Sequence, residues 1–238
     1  MQYEWESQQR DVASRVVTIP PHSSPLDISM VGGVDVSFSK DNTTIASACL
    51  TVLTYPELKL LYSDTLYTEN LHVPYKTGFL AFREYPLVEK LFNKLKTNQP
   101  ELIPDVLLVD GCGIHHDRSA GSASHIGVHL NVPTIGVSKT LLCIQGLDTK
   151  QVRKEAESNL YRAGDYMYLW GEGGKVLGAA LRPTDTTIQP IYVSIGHLID
   201  LESSCEIVAR CCRYRIPEPI RFADQISRKQ IRDNVVKS

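Results

Sequence analysis

The sequence predicts a mixed α/β fold with one central β-sheet, in which an antiparallel meander is followed by parallel strands and helices cover both faces. Three observations predict it. Strand-like runs occur early and in direct succession, separated by short turns. A strand–helix–strand unit of about 30 residues follows, and units of this kind place their two strands parallel. Apolar residues at helical spacing lie between and after the strands.

The chain begins with a predicted amphipathic helix and loop, together residues 1–28. The proline- and serine-rich segment 20–25 (PPHSSP) ends this helix. Three strand-like runs follow, at residues 29–38, 44–54 and 58–68. Because only short turns separate them, we expect them to pair antiparallel.

The middle of the chain predicts the parallel part of the sheet. Residues 84–95 carry apolar side chains at the spacing of an amphipathic helix. Residues 105–109 (DVLLV) are typical of a strand buried on both faces. A helix of small residues at 121–130 leads to a second buried strand at 134–137. The two strands should therefore be parallel.

The last third of the chain predicts further strands and a helix. Strand-like runs lie at residues 166–170, 176–181 and 191–194. The glycine-rich segment 171–174 favours a hairpin turn over a phosphate-binding loop, since no helix and no Lys-Ser/Thr pair follow it. A helix at 201–214 ends before Pro217. We predict a single domain over 1–238, with 229–238 as a basic, flexible tail.

Composition excludes several classes of protein. With 42% hydrophobic and 22% charged residues, the chain is not disordered. No window approaches the roughly 18 apolar residues of a membrane span, and the charged start lacks the apolar region of a secretory signal. The six cysteines form no CxxC pair, which disfavours a disulfide framework, and Cys211 and Cys212 are predicted to be small apolar residues of a helix. We expect a soluble protein of the cytoplasm or nucleus, or both, without a membrane partner.

The charge of the chain is unevenly distributed. Residues 210–238 contain eight basic and three acidic side chains, whereas the whole chain has a net charge of −2. This segment is therefore positive and the remainder negative. Two interpretations remain open, a solvated helical face or a local phosphate-binding patch.

Three carboxylates occupy positions that suggest chemistry. Asp35 lies between two valines of an apolar strand, where a carboxylate must be paired, protonated or bound to metal. Asp110 directly follows the strand at 105–109, which is also an ordinary place for a turn residue. Glu84 opens a helix, where the helix dipole favours an acid for purely structural reasons.

These acids predict a metal site if their strands are neighbours. Two carboxylates about 4 Å apart repel by roughly 4 kcal/mol at an effective dielectric constant near 20. A divalent cation neutralises such a cluster, and oxygen ligands suit Mg²⁺, with Mn²⁺ as a substitute. Carboxylates with such metals favour phosphodiester chemistry.

Four histidines offer an alternative metal site, namely His115, His116, His125 and His129. A zinc protease helix would need Glu after His125, but Ile126 stands there, and no cysteine has ligand spacing. We interpret His116 as a group that supports the acids or faces a phosphate. His125 and His129 are predicted to be packing or surface residues.

One loop, residues 72–80, combines an aromatic residue with a cation and a glycine: Tyr75, Lys76 and Gly78. A base-stacking wedge would have this composition. A partly buried loop tyrosine would have it as well, and both interpretations remain open.

Taken together, seven segments resemble the successive motifs of the endonuclease V family. They lie at residues 31–38, 74–84, 109–113, 124–127, 133–139, 196–197 and 216–221. They occur in the order of the family, and the resemblance extends from about residue 32 to residue 227.

The resemblance implies a ribonuclease H-like fold and metal-dependent cleavage at the second phosphodiester 3′ to inosine, leaving 3′-hydroxyl and 5′-phosphate ends. It implies Mg²⁺ or Mn²⁺ as the cofactor and inosine-containing RNA or DNA as the partner. The implied metal ligands are Asp35, Glu84, Asp110 and Asp224, and the same acids with Lys139 are the implied catalytic set. The expected substrate contacts are Tyr75, Lys76, Gly78, Gly111, His116 and Gly136, with Tyr75 as the wedge that replaces the displaced base.

Departures from the family pattern concern the substrate. The wedge reads YKTG from Tyr75, whereas bacterial members commonly have Ile-Pro after the tyrosine, and Asp117 and Ser138 also differ from frequent family residues. The wedge and the run at 211–217 (CCRYRIP) favour the animal type, which prefers inosine in RNA. We expect a monomer. Two rival functions remain, a ribonuclease H-like nuclease without inosine specificity and a non-catalytic nucleic-acid-binding module.

Overall fold

A computed structural model describes residues 2–19 and 27–235 of the chain. The strands are β1 (Met30–Phe38), β2 (Ala46–Thr54), β3 (Leu60–Thr68), β4 (Val106–Asp110), β5 (Thr134–Ser138), β6 (Tyr166–Trp170), β7 (Val176–Leu181) and β8 (Ile191–His197). The α-helices are α1 (Gln2–Arg15), α2 (Ala81–Asn98), α3 (Ser122–Leu130), α4 (Thr149–Asn159), α5 (Leu201–Arg210) and α6 (Glu218–Val235). The predicted loop at 20–25 lies outside the described residues.

The described strands form one sheet in the order β3-β2-β1-β4-β5-β8-β7-β6. The meander β1–β2–β3 is antiparallel, and β1, β4 and β5 are parallel neighbours. Strands β8, β7 and β6 continue the sheet in antiparallel pairs. The predicted mixed sheet and its strand–helix–strand unit are therefore confirmed, as is the hairpin at 171–174 between β6 and β7.

Side chains alternate along the central strands and bury both faces of the sheet. Leu107 and Val109 of β4 pack in one apolar cluster with residues of α2 and α3. Val106 and Leu108 pack in a second cluster with residues of α5 and α6. Because successive strand residues point to opposite faces, a short apolar run supplies both cores at once.

Two helices were not predicted. Helix α4 is mostly polar, and only Val152 and Ala156 are buried, so few apolar residues mark it in the sequence. Helix α6 begins beside Pro217 and Pro219, which we interpreted as a stop. A proline in the first helical turn is harmless, because its missing N–H has no partner there in any helix.

The ends of the last two helices also differ from prediction. The helix expected at 201–214 ends at Arg210, and residues 229–235 of the expected flexible tail are the last turns of α6. Residues 236–238 lie outside the described part.

A glycine brings α6 close to the centre of the sheet. A Cβ atom at Gly33 would lie 2.2 Å from the backbone carbon of Pro219. Thr51 lies on the neighbouring strand β2, and its hydroxyl donates to the Pro219 carbonyl at 2.9 Å. This contact places the following turns of α6 over the end of β1, where Asp35 lies.

The cysteines lie as their sequence positions predict. Cys205 and Cys211 are buried in an apolar cluster, Cys212 packs against it, and all six cysteines are free thiols. Within residues 2–19 and 27–235, no helix has the length and apolar character needed to cross a membrane.

Candidate active site

The parallel pairing of β1 with β4 brings two acids together. Val34 lies opposite Val109 in the register of the two strands, so Asp35 and Asp110 follow at adjacent positions. Asp35 is buried and Asp110 partly exposed at the end of β4. The expectation that adjacent central strands would join these acids agrees with the geometry.

Helices supply two more acids to the same edge of the sheet. Glu84 lies in the first turn of α2 and is buried, and Asp224 lies on α6. Asp35, Glu84 and Asp110 border one small hollow, and Asp35, Asp110 and Asp224 border a larger one. Four carboxylates that are distant in sequence therefore surround the end of β1.

Burial makes these carboxylates expensive to keep ionised. The pKa of Glu84 rises to about 8, chiefly through burial, with the charges of Asp35 and Asp110 adding to the shift and the Ser122 hydroxyl opposing it. The pKa of Asp35 rises to about 6, chiefly through burial, with Asp110 and Asp224 adding to it. A cation among these side chains would lower both pKa values.

Each acid has a hydrogen-bond partner other than a metal. The Ser227 hydroxyl donates to Asp35 Oδ2 at 2.8 Å, and the Ser122 hydroxyl donates to Glu84 Oε2 at 2.8 Å. The Arg228 guanidinium donates to Asp224 Oδ1 at 2.7 Å.

The four acids fit a metal by their chemistry but not by their present spacing. Across the described part of the chain, no three His, Cys, Asp or Glu side chains lie close enough together to hold a metal ion in their present positions. The chemistry of the donors nevertheless fits a hard divalent cation, because they are all carboxylate oxygens and repel one another. Within the described residues, the four histidines of the zinc alternative are likewise not gathered in one group, and His125 and His129 pack on Tyr85 instead.

Lys139 lies directly after β5 and faces Asp110. Its Nζ donates to Asp110 Oδ2 at 3.0 Å. The backbone around it is held from elsewhere, because Arg215 Nη2 donates to the Lys139 carbonyl at 2.8 Å and His115 Nε2 lies 2.9 Å from the Leu142 carbonyl. A fixed positive charge therefore lies beside the acids.

Tyr75 projects from a loop beside the acids, with 66% of its surface exposed. It lines a cavity of about 550 Å³, the wedge hollow, together with Asp35, Glu84, Asp110 and Lys139. The interpretation as a partly buried loop tyrosine is therefore wrong, and the wedge stays a prediction.

The wedge segment, residues 74–80, is held by α1 and by a loop. The Gly78 carbonyl accepts from Gln9 Nε2 at 3.1 Å and from Arg118 Nη2 at 3.0 Å. Gly78 has φ +81°, a conformation that favours glycine. Lys76 Nζ contacts Gln2 of α1 and lies 6.0 Å from the Phe79 ring.

Three other predicted substrate contacts lie around the turn after β4. Gly111 lines the wedge hollow and donates its N–H to the Val137 carbonyl at 3.0 Å. His116 is buried, its Nδ1 accepts from the Arg118 N–H, and burial lowers its pKa to about 4. Gly136 is buried below this turn, where a Cβ atom would lie 2.8 Å from the Gly111 carbonyl oxygen. Gly136 therefore supports the turn and does not line the hollow.

His125 and His129 belong to an aromatic cluster behind the wedge segment. The two rings lie 4.6 Å apart, and both pack on Tyr85. Burial lowers the pKa of His125 to about 3. This agrees with the packing role predicted for them.

Several supporting residues were missed in the sequence. Ser122, Ser227, Gln9 and Arg118 each contact a predicted site residue. Ser227 follows Asp224 by three positions on α6, which a predicted helix would have placed near the acids. Gln9 carries no comparable signal, because its contacts lie 69 and 111 positions away.

Comparisons with known proteins agree on one family. The sequence model described as Endonuclease V matches residues 10–225. Mouse endonuclease V is 46% identical over 233 residues, which cover 96% of this chain and 69% of the mouse protein.

Solved structures of this kind are also similar. The catalytic domain of human endonuclease V superimposes with a TM-score of 0.93 at 40% identity, covering 98% of this chain and 97% of that one. Endonuclease V of Ciona intestinalis, crystallised with DNA containing an inosine followed by a ribo-adenosine, gives a TM-score of 0.91 at 37% identity, covering 97% of both chains. The expected ribonuclease H-like fold is confirmed by these neighbours.

Proposed function

The chain belongs to the endonuclease V family and is a phosphodiester-hydrolysing endonuclease, and we propose that it cleaves inosine-containing nucleic acid. Single-stranded RNA is the favoured substrate, with deaminated DNA as a second one. The cut falls at the second phosphodiester 3′ to inosine and leaves 3′-hydroxyl and 5′-phosphate ends. One observation carries the proposal: four carboxylates and Lys139 surround the end of β1, directly beside an exposed tyrosine.

The acids and the lysine divide the chemistry between them. Asp35 and Asp110 would hold Mg²⁺ or Mn²⁺, while Glu84 and Asp224 complete a second site or orient water. When bound, such an ion lowers the pKa of water and stabilises negative charge on the phosphate and the leaving 3′ oxygen. Lys139 adds a fixed positive charge at the scissile phosphate, and the Arg215 contact to its carbonyl keeps it there.

Recognition of the base falls to the wedge hollow. The target base must leave its stack, which costs least in single strands and mismatches. Tyr75 fills the space that the base leaves, and Lys76, Gly78 and His116 support the same surface. Hypoxanthine carries a carbonyl and an N1–H where adenine does not, so backbone groups near Gly111 can reject adenine by leaving polar atoms unpaired.

The preference for RNA is supported by the wedge sequence, which departs from the bacterial pattern after Tyr75. The Ciona relative binds a strand in which a ribonucleotide follows the inosine. A contact to the 2′-hydroxyl of the nucleotide after the inosine would distinguish RNA from DNA.

The test is cleavage of four matched strands, inosine or adenosine in RNA or DNA, with Mg²⁺ and with a chelator. We expect cutting of the inosine strands only, faster in RNA, and none with the chelator. Equal cutting of inosine and adenosine strands would indicate the rival nuclease without inosine specificity. Binding without cutting in any metal would indicate the non-catalytic module.

A further inference from the structure

Glu84 is the most deeply buried of the four acids, and its surroundings are largely apolar. The small hollow that it shares with Asp35 and Asp110 is otherwise lined by apolar side chains, namely Val34, Val36, Val88, Val109 and Ile126. A carboxylate in apolar surroundings is costly unless a hydrogen bond satisfies it. The orientation of Glu84 therefore depends on the donor that reaches it.

Ser122 of α3 is that donor. Its hydroxyl donates to Glu84 Oε2 at 2.8 Å, and both residues are buried. Among the described residues, none donates a hydrogen bond to the other oxygen, Oε1. One carboxylate oxygen is thus held, and the second is left for a ligand at the acids.

The fold fixes Ser122 against the turn that follows Asp110. Ser122 is the first residue of α3, and the residues before and after it donate their backbone N–H groups to the carbonyls of residues 113 and 112, at 2.9 and 3.1 Å. A Cβ atom at Gly111 would lie 3.3 Å from the Ser122 Cβ, so the start of the helix and the turn are closely packed. The hydroxyl that contacts Glu84 is therefore placed by the same turn that follows Asp110.

A second serine in the first turn of α3 gives an internal comparison. Ser124 is 0% exposed, and its hydroxyl has no hydrogen-bond partner within the described part of the chain. Of these two buried serines, Ser122 is the one that donates to an acid. The contact therefore follows from the position of Ser122 and is not a general property of the small residues of this helix.

We propose that Ser122 is a positioning residue for the reaction, because it holds Glu84 Oε2 at the start of α3 and so leaves Glu84 Oε1 to the metal ion that we assign to the acids. This rests on the proposed function, in which Glu84 serves the metal site. Ser122 itself touches neither metal nor substrate and acts only through Glu84. Residues that orient a metal ligand in this way commonly contribute about 10- to 100-fold to metal affinity or activity.

The first measurement is binding of Mn²⁺ to the full chain without nucleic acid, followed by electron paramagnetic resonance of the free ion. Ser122→Ala should raise the Mn²⁺ dissociation constant roughly tenfold, because Glu84 loses the donor that orients it. Ser122→Thr keeps the hydroxyl and should recover most of the affinity. The single-turnover cleavage rate on an inosine strand should fall by a similar factor at limiting Mg²⁺, while the affinity for the strand stays unchanged.

A double-mutant cycle shows whether Ser122 acts through Glu84. Glu84→Gln removes the charge of the ligand, so Ser122→Ala in that background should cause no further loss of Mn²⁺ affinity. Ser124→Ala is the matched control, and it should bind Mn²⁺ as the unaltered protein does. Thermal unfolding of each variant checks that it is folded at the temperature of the titration.

Unchanged Mn²⁺ affinity in Ser122→Ala would overturn the proposal. The same loss in the presence and absence of the Glu84 carboxylate, or an equal loss in Ser124→Ala, would overturn it as well. Failure of the proposed function is read separately, from equal cutting of inosine and adenosine strands by the unaltered protein, and the Mn²⁺ titrations do not depend on that result.

Discussion

The acids and the wedge segment are neighbours, but the fold holds them in different ways. Asp35 and Asp110 lie on paired strands of the sheet, so backbone register sets their separation. The wedge segment belongs to a loop, and side chains hold it: Gln9 of α1 and Arg118 both donate to the Gly78 carbonyl. In the proposed function, cleavage therefore depends on rigid backbone, whereas base recognition depends on a few side-chain contacts. Mutations should separate the two.

The largest effect is expected at the acids. Asp35→Asn or Asp110→Asn should lower the single-turnover cleavage rate at least roughly 10³-fold, because each removes a charged metal ligand. Binding of an inosine strand should change less than tenfold. Asp35→Asn should not lower the melting temperature, since it removes a buried charge whose pKa is raised to about 6. Retained turnover in either variant would contradict the metal assignment.

A smaller and more selective effect is expected at the wedge. Tyr75→Ala should lower kcat/KM for inosine strands by about 10- to 100-fold through loss of stacking, and Tyr75→Phe should retain most of it. The tyrosine is exposed, so neither variant should alter the free energy of unfolding. If Tyr75→Phe were as defective as Tyr75→Ala, the hydroxyl and not the ring would be the important group.

The contact between Gln9 of α1 and the wedge segment can be tested by mutation. Gln9 is 1% exposed and contacts Gly78, Ala120 and Arg118. Gln9→Ala should reduce the ratio of kcat/KM for inosine over adenosine several-fold, and it should lower the free energy of unfolding by about 1–3 kcal/mol because buried groups lose their partners. Gln8→Ala, in the exposed neighbour, is the matched control. A defect of equal size on both substrates would place Gln9 outside base selection.

In the metal-free protein, one buried group in each region should make the free energy of unfolding depend on pH, and the two dependences should have opposite sign. Glu84 has a pKa raised from 4.5 to about 8, so its burial cost is complete above pH 8 and shrinks progressively as the pH falls from 8 to about 4.5. His125, behind the wedge, has a pKa lowered to about 3. Below pH 6.5 the unfolded chain binds a proton at this histidine that the folded chain does not, so stability falls.

Glu84→Gln should therefore raise the free energy of unfolding by about 1 kcal/mol or more above pH 8 and leave it unchanged near pH 5. His125→Phe should reduce the loss between pH 6.5 and 4.5 by about 1–2 kcal/mol and change little at pH 8. Denaturant unfolding across this pH range measures both. If the curve of unfolding free energy against pH for a variant runs parallel to that of the unaltered protein, the replaced side chain does not titrate as described.

Much of the fold could be predicted because apolar spacing is a local property of the chain. Strand β4 was recognisable from four consecutive apolar residues, and both of its faces are buried. Helix α4 escaped prediction because it is mostly polar and only two of its eleven residues are buried. Helix α6 escaped because prolines were interpreted as a stop, although one of them occupies the first turn of the helix.

The sequence by itself determined the strands, the unusual position of Asp35, and, through the resemblance, the set of acids and the wedge tyrosine. Only the tertiary structure decided which groups hold them: Ser227 reaches Asp35 from 192 positions away, and Gln9 reaches Ala120 across 111. It also decided which cations of the positive C-terminal segment face the acids. The physical reason is that apolar periodicity is written into neighbouring residues, whereas a hydrogen bond across the chain exists only after packing has brought donor and acceptor together.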